Sequence, residues 1–406
     1  MIDAYSPDDL QQIIEPLFVI EDITWGGPNE LFIVRYRGKL RGADSEKAYD
    51  RLSEALKRYS ITPVFRVEDD GRQAILLLKT PARAKPANPK VNLILFIITV
   101  LSVMFAGIVY GLGGALPQNL TIFWQAFFSS GIPFTISMIA ILGSHELGHY
   151  FVGRHHGVLV TLPYFIPMPF SAWGTMGAFI SMKEQTKNRK QLFDIGVTGP
   201  LLGFAVSLIV LFIGLKLSQV TFIPVVLPAG SSYQQEGNSL AYFFMKFLVF
   251  GKFLPQPAEY WISPVLHWLR FFFTGTPLPL GGEDVIISPV AWAGWAGLLV
   301  TSLNLIPAGQ LDGGHIFQML FGKKAAQRLR PVILLILVLL GFIWYGWWLW
   351  AVLIFFFGRI YAEPLDQITP LDKKRRILGY IALAVLFLSI TPVPFSVAYG
   401  MVIPPV

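Results

Sequence analysis

Long apolar stretches separated by short polar ones dominate the chain after residue 90. A stretch of about 20 apolar residues is long enough to cross a bilayer as a helix. The predicted spans are Val91–Leu116, Phe134–Phe151, Ile195–Leu217, Pro289–Pro307, the two arms of a helical hairpin within Pro331–Phe357, and Ile377–Ile390. The pattern therefore predicts a polytopic α-helical membrane protein with about seven transmembrane helices.

The basic residues predict how these helices are oriented. Cationic loops mark the cytoplasmic side of a membrane protein. A single crossing over Pro331–Phe357 would place Lys373–Arg376 outside, so a hairpin turning at Tyr345–Trp348 is predicted instead. This arrangement puts the N-terminus in the cytoplasm and Thr391–Val406 outside.

The segment Ser218–Ser288 interrupts the series of spans. Lys246, His267 and Arg270 break its apolar runs, and it contains many prolines and aromatic residues. We expect interfacial helices on the outer face rather than crossings. The segment has no strand pattern like that of a PDZ domain.

Residues 1–80 have the pattern of a small soluble domain. Leu31–Arg37 is predicted as a strand and Ser45–Tyr59 as an amphipathic helix. Two further strands, Val64–Glu68 and Gln73–Lys79, flank a turn at Asp69–Arg72. The prediction is a cytoplasmic α+β domain of β-α-β-β order, followed by a linker at 81–90, a membrane core at 91–361 and a C-terminal part at 362–406.

Composition supports this classification and limits the chemistry. Charged residues make up 14% of the chain, against about 25% in soluble domains, and the mean hydropathy is +0.56. Because cysteine is absent, a zinc ion could be held only by histidine or carboxylate side chains. The net charge of +7 fits cationic cytoplasmic loops and gives no indication of nucleic acid as a partner.

The N-terminus gives an expectation about location. It is acidic and has no apolar core, unlike a secretory signal or an arginine-rich transit peptide. We expect a multi-pass protein of a prokaryotic plasma membrane, or alternatively a mature protein of a thylakoid or chloroplast membrane.

A zinc-hydrolase signature, H-E-x-x-H, lies inside the second predicted span. His145 and His149 are one helical turn apart, so both imidazoles can bind one zinc ion, and Glu146 is placed to activate a water at its open position. Ionisable residues in a membrane-length segment are costly and mark function by default. A structural pair of buried, hydrogen-bonded histidines remains the alternative. His155 and His156, which follow, are interpreted as a solvated helix end.

A second polar motif ends the Pro289–Pro307 span. Asn304–His315 contains Pro307, three glycines and the acidic residue Asp312. A loop aspartate is the simple interpretation, but beside an intramembrane H-E-x-x-H it becomes the natural third zinc ligand. Between the two motifs, Gly174–Ser181 is predicted as a strand or hairpin that folds back beside the site, because non-helical backbone at membrane depth must be buried or line a cavity.

Together, His145–His149 and Asn304–Gly314 resemble the site-2 protease family of intramembrane zinc metalloproteases. The resemblance covers Val91–Tyr361, and Gly177–Ala178 looks like the membrane-embedded β-element of that family. The N-terminal domain, with Arg37–Arg41, resembles the plant and cyanobacterial branch named for ethylene-dependent gravitropism deficiency and yellow-green leaves. It has Lys39 where that branch usually has asparagine.

This resemblance implies roles for individual residues. His145, His149 and Asp312 would be ligands of one zinc ion per chain, Glu146 the general base, and Asn304 a contact to substrate or to its developing oxyanion. The substrates would be transmembrane helices in the lipid bilayer, cleaved near the cytoplasmic side in regulated intramembrane proteolysis. The alternative function is a catalytically silent zinc-binding chaperone or transporter. A silent relative is expected to lose Glu146 or a ligand, and this chain retains them all.

Overall fold

The computed structural model describes residues 6–68, 70–82, 87–277 and 280–400. The predicted linker at 81–90, the turn at Asp69–Arg72 and the tail Thr391–Val406 therefore lie partly outside the described residues. The described chain contains an N-terminal α+β part, a bundle of helices, and a layer of short helices and strands at one end of the bundle.

The N-terminal part is an antiparallel sheet covered by two helices. Its elements are α1 (Pro7–Ile14), β1 (Phe18–Trp25), β2 (Val34–Leu40), α2 (Ser45–Leu56), β3 (Ile61–Val67) and β4 (Gln73–Lys79). The strands lie in the order β1-β2-β4-β3. One core is buried between the sheet and both helices, and it includes Leu10, Leu52 and Ile75.

The predicted β-α-β-β order is present as β2, α2, β3 and β4, but two elements precede it that were not predicted. Helix α1 begins with a capping box, in which the Ser6 hydroxyl accepts from the Asp9 amide and the Asp9 carboxylate accepts from the Ser6 amide. Strand β1 carries Glu21 and Asp22 in its centre, and only Phe18 of its residues is buried. An exposed edge strand of this kind has no apolar alternation to reveal it.

The rest of the chain is mainly helical. Its helices are α3 (Pro89–Gly111), α4 (Leu120–Ala126), α5 (Ile132–His155), α6 (Arg189–Lys216), α7 (Leu240–Phe250), α8 (Pro264–Thr274), α9 (Pro289–Asn304), α10 (Asp312–Phe321), α11 (Lys323–Gly341), α12 (Gly346–Phe357) and α13 (Lys373–Ser389). Its strands are β5 (Tyr164–Pro167), β6 (Thr175–Phe179), β7 (Gln219–Phe222), β8 (Ser232–Glu236), β9 (Glu283–Ile286) and β10 (Phe395–Tyr399).

Three helical stretches among the described residues are long and apolar enough to cross a membrane, judged by length and composition. They are α3, α6 and the continuous stretch Leu120–His155, in which a π turn at Phe127–Gly131 joins α4 to α5. The second predicted span, Phe134–Phe151, lies within this longer helical stretch. Helices α9, α11, α12 and α13, with 16, 19, 12 and 17 residues, fall short in length or in composition. The chain is thus a membrane protein with three such stretches, and the count of seven spans stays a prediction.

Helices α5, α6 and α9 form the centre of the bundle, where glycines allow close approach. A Cβ on Gly294 of α9 would lie 2.7 Å from the Leu211 backbone of α6, and one on Gly297 would lie 2.3 Å from the Ser207 hydroxyl. We call the end of the bundle at the start of α6 the proximal end, and the end at the last residues of α3 and α6 the distal end.

The predicted β-element is present as an antiparallel hairpin of β5 and β6, which pairs Phe165 with Ala178. It lies along α3. The Asn92 amide donates to the Leu162 and Pro163 carbonyls at 2.8 and 3.0 Å, and the Ser102 hydroxyl donates to the Gly174 carbonyl at 2.5 Å. These contacts satisfy backbone oxygens of the hairpin beside an apolar helix, where an unpaired buried group would be costly.

The distal layer contains residues 218–277 and 280–288 together with β10. The predicted short helices are present as α7 and α8, but four strands accompany them as two antiparallel pairs, β7 with β9 and β8 with β10. Sequence analysis missed these strands. All four residues of β7 are exposed, so the strand lacks the apolar face that makes a strand recognisable.

At the proximal end, the N-terminal part contacts the segment between α12 and α13. The Phe65 amide of β3 donates to the Leu365 carbonyl at 2.8 Å, and the Gln367 amide donates to the Phe65 carbonyl at 3.1 Å. Glu46 of α2 pairs with Lys190 of α6 at 2.7 Å. The N-terminal part is therefore held against the same end of the bundle as the start of α6.

Candidate metal centre

Three predicted ligands meet near the proximal end of the bundle. The Nε2 atoms of His145 and His149 are 3.1 Å apart, and Asp312 Oδ2 lies 3.2 Å from the first and 3.4 Å from the second. Both histidines are buried, with 5% and 6% of their surface exposed. Among the described residues these three form a group whose ligand atoms all lie within 4.8 Å of one another.

Helix α5 sets the direction of both imidazoles, because residues four apart share one helical face. A contact to α6 fixes the second ring: His149 Nδ1 lies 2.6 Å from the Ile195 carbonyl oxygen. A carbonyl oxygen only accepts, so Nδ1 carries the proton and Nε2 presents its lone pair to the site.

Asp312 reaches the site because the chain turns sharply between α9 and α10. Gly309 has φ +56°, in the left-handed region, and Asp312 is the first residue of α10. The next residue also has no space for a side chain, since a Cβ on Gly313 would lie 1.9 Å from the Leu305 carbonyl oxygen. The glycines of the second motif thus bring the carboxylate back to the end of α9.

The three atoms fit a zinc ion. In a tetrahedral site with bonds near 2.1 Å, neighbouring ligand atoms are about 3.4 Å apart, and the observed separations are 3.1, 3.2 and 3.4 Å. Two neutral imidazoles and one carboxylate are also a donor set that leaves a fourth position free for water. These geometric observations favour a metal site over a merely structural histidine pair.

Helix α6 closes the site from one side with glycines. A Cβ on Gly199 would lie 2.1 Å from His149 Nε2, and one on Gly203 would lie 3.0 Å from His145 Nδ1. Gly199 and Gly203 are residues of α6 that let a neighbouring helix approach closely. The structure shows that the approaching groups are the two imidazoles.

Glu146 and Asn304 line the same cavity as the ligands. The cavity has a volume of about 240 Å³ and is bounded by α5, α6, the turn before α10 and the residues Ala178–Ile180. Glu146 is buried, with 5% of its surface exposed, and its carboxyl faces the backbone amide of Ile180. Asn304, at the end of α9, is half-buried. All five residues predicted for the site are therefore brought together.

Sequence analysis did not assign His315, which also lines this cavity. It is 8% exposed and its Nδ1 has no hydrogen-bond partner among the described residues. His315 follows Asp312 by three residues, so both lie on the same side of α10. This spacing could have indicated His315 from the sequence. His156 lies apart from this cavity, and its Nε2 contacts Asp194 at 3.0 Å.

Comparison with known proteins identifies the family. A model described as peptidase family M50 matches residues 133–344. The chain is similar to proteins of Arabidopsis thaliana named "Probable zinc metalloprotease EGY2, chloroplastic", with 32% identity over 66% of this chain and 42% of that protein, and "Probable zinc metalloprotease EGY1, chloroplastic", with 28% identity over 96% and 72%. It is also similar to "Probable zinc metallopeptidase EGY3, chloroplastic" of the same plant, with 28% identity over 66% and 44%.

These relatives belong to the branch that was predicted from the sequence. The chain spans less than half the length of two of them, 42% for EGY2 and 44% for EGY3. No solved structure matches the chain. The family model covers more than half of the residues and contains both motifs of the site. The chain therefore belongs to peptidase family M50, the family of the site-2 proteases.

Proposed function

We propose that this protein is a zinc-dependent endopeptidase that cleaves transmembrane helices of membrane-anchored proteins. The observation that carries the proposal is the triangle of His145, His149 and Asp312 ligand atoms, with the buried Glu146 in the same cavity. The names of the relatives, which describe zinc metalloproteases, support it.

His145, His149 and Asp312 would hold the zinc ion through two nitrogens and one oxygen. Zinc, when bound, acts as a Lewis acid toward water and toward a peptide carbonyl. Glu146 accepts the proton of the attacking water and delivers it to the amine that leaves, so one carboxylate serves both steps. The Asn304 side-chain amide is available to donate a hydrogen bond to the negative charge that develops on the carbonyl oxygen.

The hairpin supplies a way to hold the substrate. Among the described residues β6 pairs only with β5, so its other edge is available to an extended peptide. The Ile180 amide faces Glu146 and the cavity. Because alternate amides of a strand point to opposite edges, the Ala178 amide faces the same way and the Phe179 amide faces β5. We infer that the substrate unwinds locally and adds to β6 as a strand.

We also propose the predicted topology of about seven spans, with the N-terminal part and the metal centre toward the cytoplasm and the distal layer outside. The contacts of Phe65 with the segment before α13 support a common side for these two parts. The membrane would be a prokaryotic plasma membrane or, as in the names of the relatives, that of a chloroplast. Cleavage near the cytoplasmic side would release a cytoplasmic fragment.

The test is metal analysis beside a cleavage assay with candidate single-span substrates, comparing the parent protein with Glu146→Gln. The amide keeps the shape of the side chain but cannot accept the proton, so we expect unchanged zinc and at least a hundredfold slower cleavage. Cleavage close to the parent rate in this variant would remove Glu146 from the mechanism. Zinc without cleavage of any substrate by the parent would favour the chaperone or transporter alternative.

A further inference from the structure

A second, larger cavity lies at the distal end of the bundle, remote from the metal centre. It has a volume of about 760 Å³ and lies between the end of α3, the turn of the β5–β6 hairpin and the distal strands. Its lining includes Tyr110, Trp292, Phe170 and Glu236. The lining is thus largely apolar and aromatic, with one buried carboxylate.

Glu236 is a buried acid of this region with few side-chain hydrogen-bond donors. It is 8% exposed, and its Oε1 accepts one side-chain hydrogen bond, from the Tyr242 hydroxyl at 2.6 Å. The neighbouring Asp284 is saturated by comparison, because its Oδ2 accepts from Tyr233 at 2.8 Å and from Gln235 at 2.6 Å. A buried carboxylate needs several donors or a cation to offset lost hydration. Glu236, which lines the cavity, retains capacity for such a partner.

The charges around Glu236 leave a net negative cluster. Glu236 and Asp284 are two buried carboxylates, and Lys246 is the buried lysine that interacts with both of them among the described residues. The Lys246 ammonium has no hydrogen-bond partner among the described residues and lies 4.3 Å from the centroid of the Tyr242 ring. One further positive charge in the cavity would balance the cluster.

The aromatic wall of the cavity suits the same ligand. Tyr110 stacks on Trp292 with 5.2 Å between ring centroids, and Trp292 stacks on Trp295 at 4.9 Å. Both faces of Trp292 are covered in this stack, so these rings offer apolar contact for the methylene stem of a long side chain rather than a free face for its cation. Phe170, at the hairpin turn, is 97% exposed and stands at the cavity as a free apolar side chain. The cavity therefore offers apolar contact for a long side chain and an anion for its end.

We propose that this distal cavity binds a lysine or arginine side chain of the substrate, at the end of the transmembrane segment remote from the cleavage site. This inference rests on the proposed function. The hairpin links the two sites, since its turn borders the distal cavity and Ala178–Ile180 line the metal cavity. Helix α5 runs from Ile132 to the metal centre at His149, about 25 Å at 1.5 Å per residue, so one spanning segment can reach both.

Such a cavity would act as a specificity determinant. Cationic residues are scarce on the outer flank of transmembrane helices, because positive residues prefer the cytoplasmic side. A requirement for one there selects a minority of membrane proteins as substrates.

Protonation of Glu236 should tune this binding. Burial and the nearby Asp284 raise the pKa of Glu236 above its usual range, and Lys246 and the Tyr242 hydroxyl oppose this shift. The phenols of Tyr110 and Tyr233 also face this carboxyl. The carboxyl therefore takes up a proton at a higher pH than an ordinary glutamate does. A cation binds the ionised form, so affinity for it should rise as the pH rises through the pKa of Glu236.

The experiment measures peptide binding to the full-length Glu146→Gln protein, loaded with zinc and held in lipid nanodiscs. The probes are fluorescent single-span peptides that are identical except for lysine, glutamine or glutamate at the distal flank. At pH 8 we expect the lysine peptide to bind roughly tenfold tighter than the glutamine peptide, with a smaller preference at pH 6. Adding Glu236→Gln should remove the preference. The matched control is Glu283→Gln, a half-exposed acid of the same layer paired with Lys252, which should keep it.

The outcomes separate the two proposals. Equal binding of the three peptides to the Glu146→Gln protein, or a lysine preference that survives Glu236→Gln, overturns the distal cation site and leaves the proposed protease function standing. Failure of every peptide to bind counts against both. If the Glu236→Gln variant does not fold, the comparison of the three peptides on the Glu146→Gln protein still tests the inference.

Discussion

Gly199 of α6 lies directly against His149 of α5, so that a Cβ on the glycine would be 2.1 Å from the Nε2 atom that faces the metal site. This contact is too short for any side chain. Helix α6 can therefore cross the imidazole only at a residue without a Cβ. The position of the His149 ring and the packing of α5 against α6 depend on each other.

Replacing Gly199 with alanine should displace the imidazole and lower the zinc content at least tenfold, because ligand geometry fixed by its surroundings controls metal affinity. Gly143→Ala, on α5 with no atom within 4 Å of the new Cβ, is the matched control and should retain zinc. Metal analysis of both purified variants makes the comparison. Full zinc in a folded Gly199→Ala protein would mean that α6 can move away without loss.

His149→Ala should abolish bound zinc, which we expect at about one ion per chain in the parent protein. Removal of one of three protein ligands costs most of the affinity. His156→Ala is the control, because this histidine contacts Asp194 outside the site. Undiminished zinc in His149→Ala would place the metal elsewhere.

Proline at Ala178 should reduce cleavage without reducing zinc, because it removes the amide that faces the metal cavity. Proline at Phe179 instead removes an amide that faces β5 opposite Tyr164, so it should also disturb the hairpin. Cleavage rate and zinc content are measured for both variants. Unchanged turnover in a folded, metallated Ala178→Pro protein would make the strand edge purely structural.

Reporter tags should place residue 1 and the segment Pro370–Lys374 on the cytoplasmic side and a tag after Val406 on the outer side. Accessibility to a membrane-impermeant labelling reagent in intact cells and in inverted vesicles provides the measurement. An external position for the Pro370–Lys374 segment would refute the hairpin of α11 and α12 and with it the span count.

The candidate metal ligands were predictable because the sequence encodes their positions locally. Four residues make one helical turn, so His145 and His149 share a face wherever the helix goes. Asp312 was placed through the second motif, whose proline and glycines indicate a turn. The contact of Gly199 with His149 could not be read, because it depends on the register between two helices.

The distal strands and the role of His315 could not be predicted from the local sequence. Strand β8 pairs with β10, which lies far away in the sequence, and β7 is exposed along its whole length. Neither pattern contains an apolar alternation that a local window can detect. His315 becomes a cavity residue only when the turn at Gly309 brings α10 back to α5.

The pairing of Phe65 with Leu365 and Gln367 has a consequence for how the chain folds. Strand β3 lies at the edge of its sheet and is made early in synthesis, but the segment that covers this edge follows α12. While the helices between these two segments are being inserted, the amides at this edge have no partner and can pair with other strands. Strand β3, although it is made before the helices, is thus among the last parts of the described chain to reach its final packing.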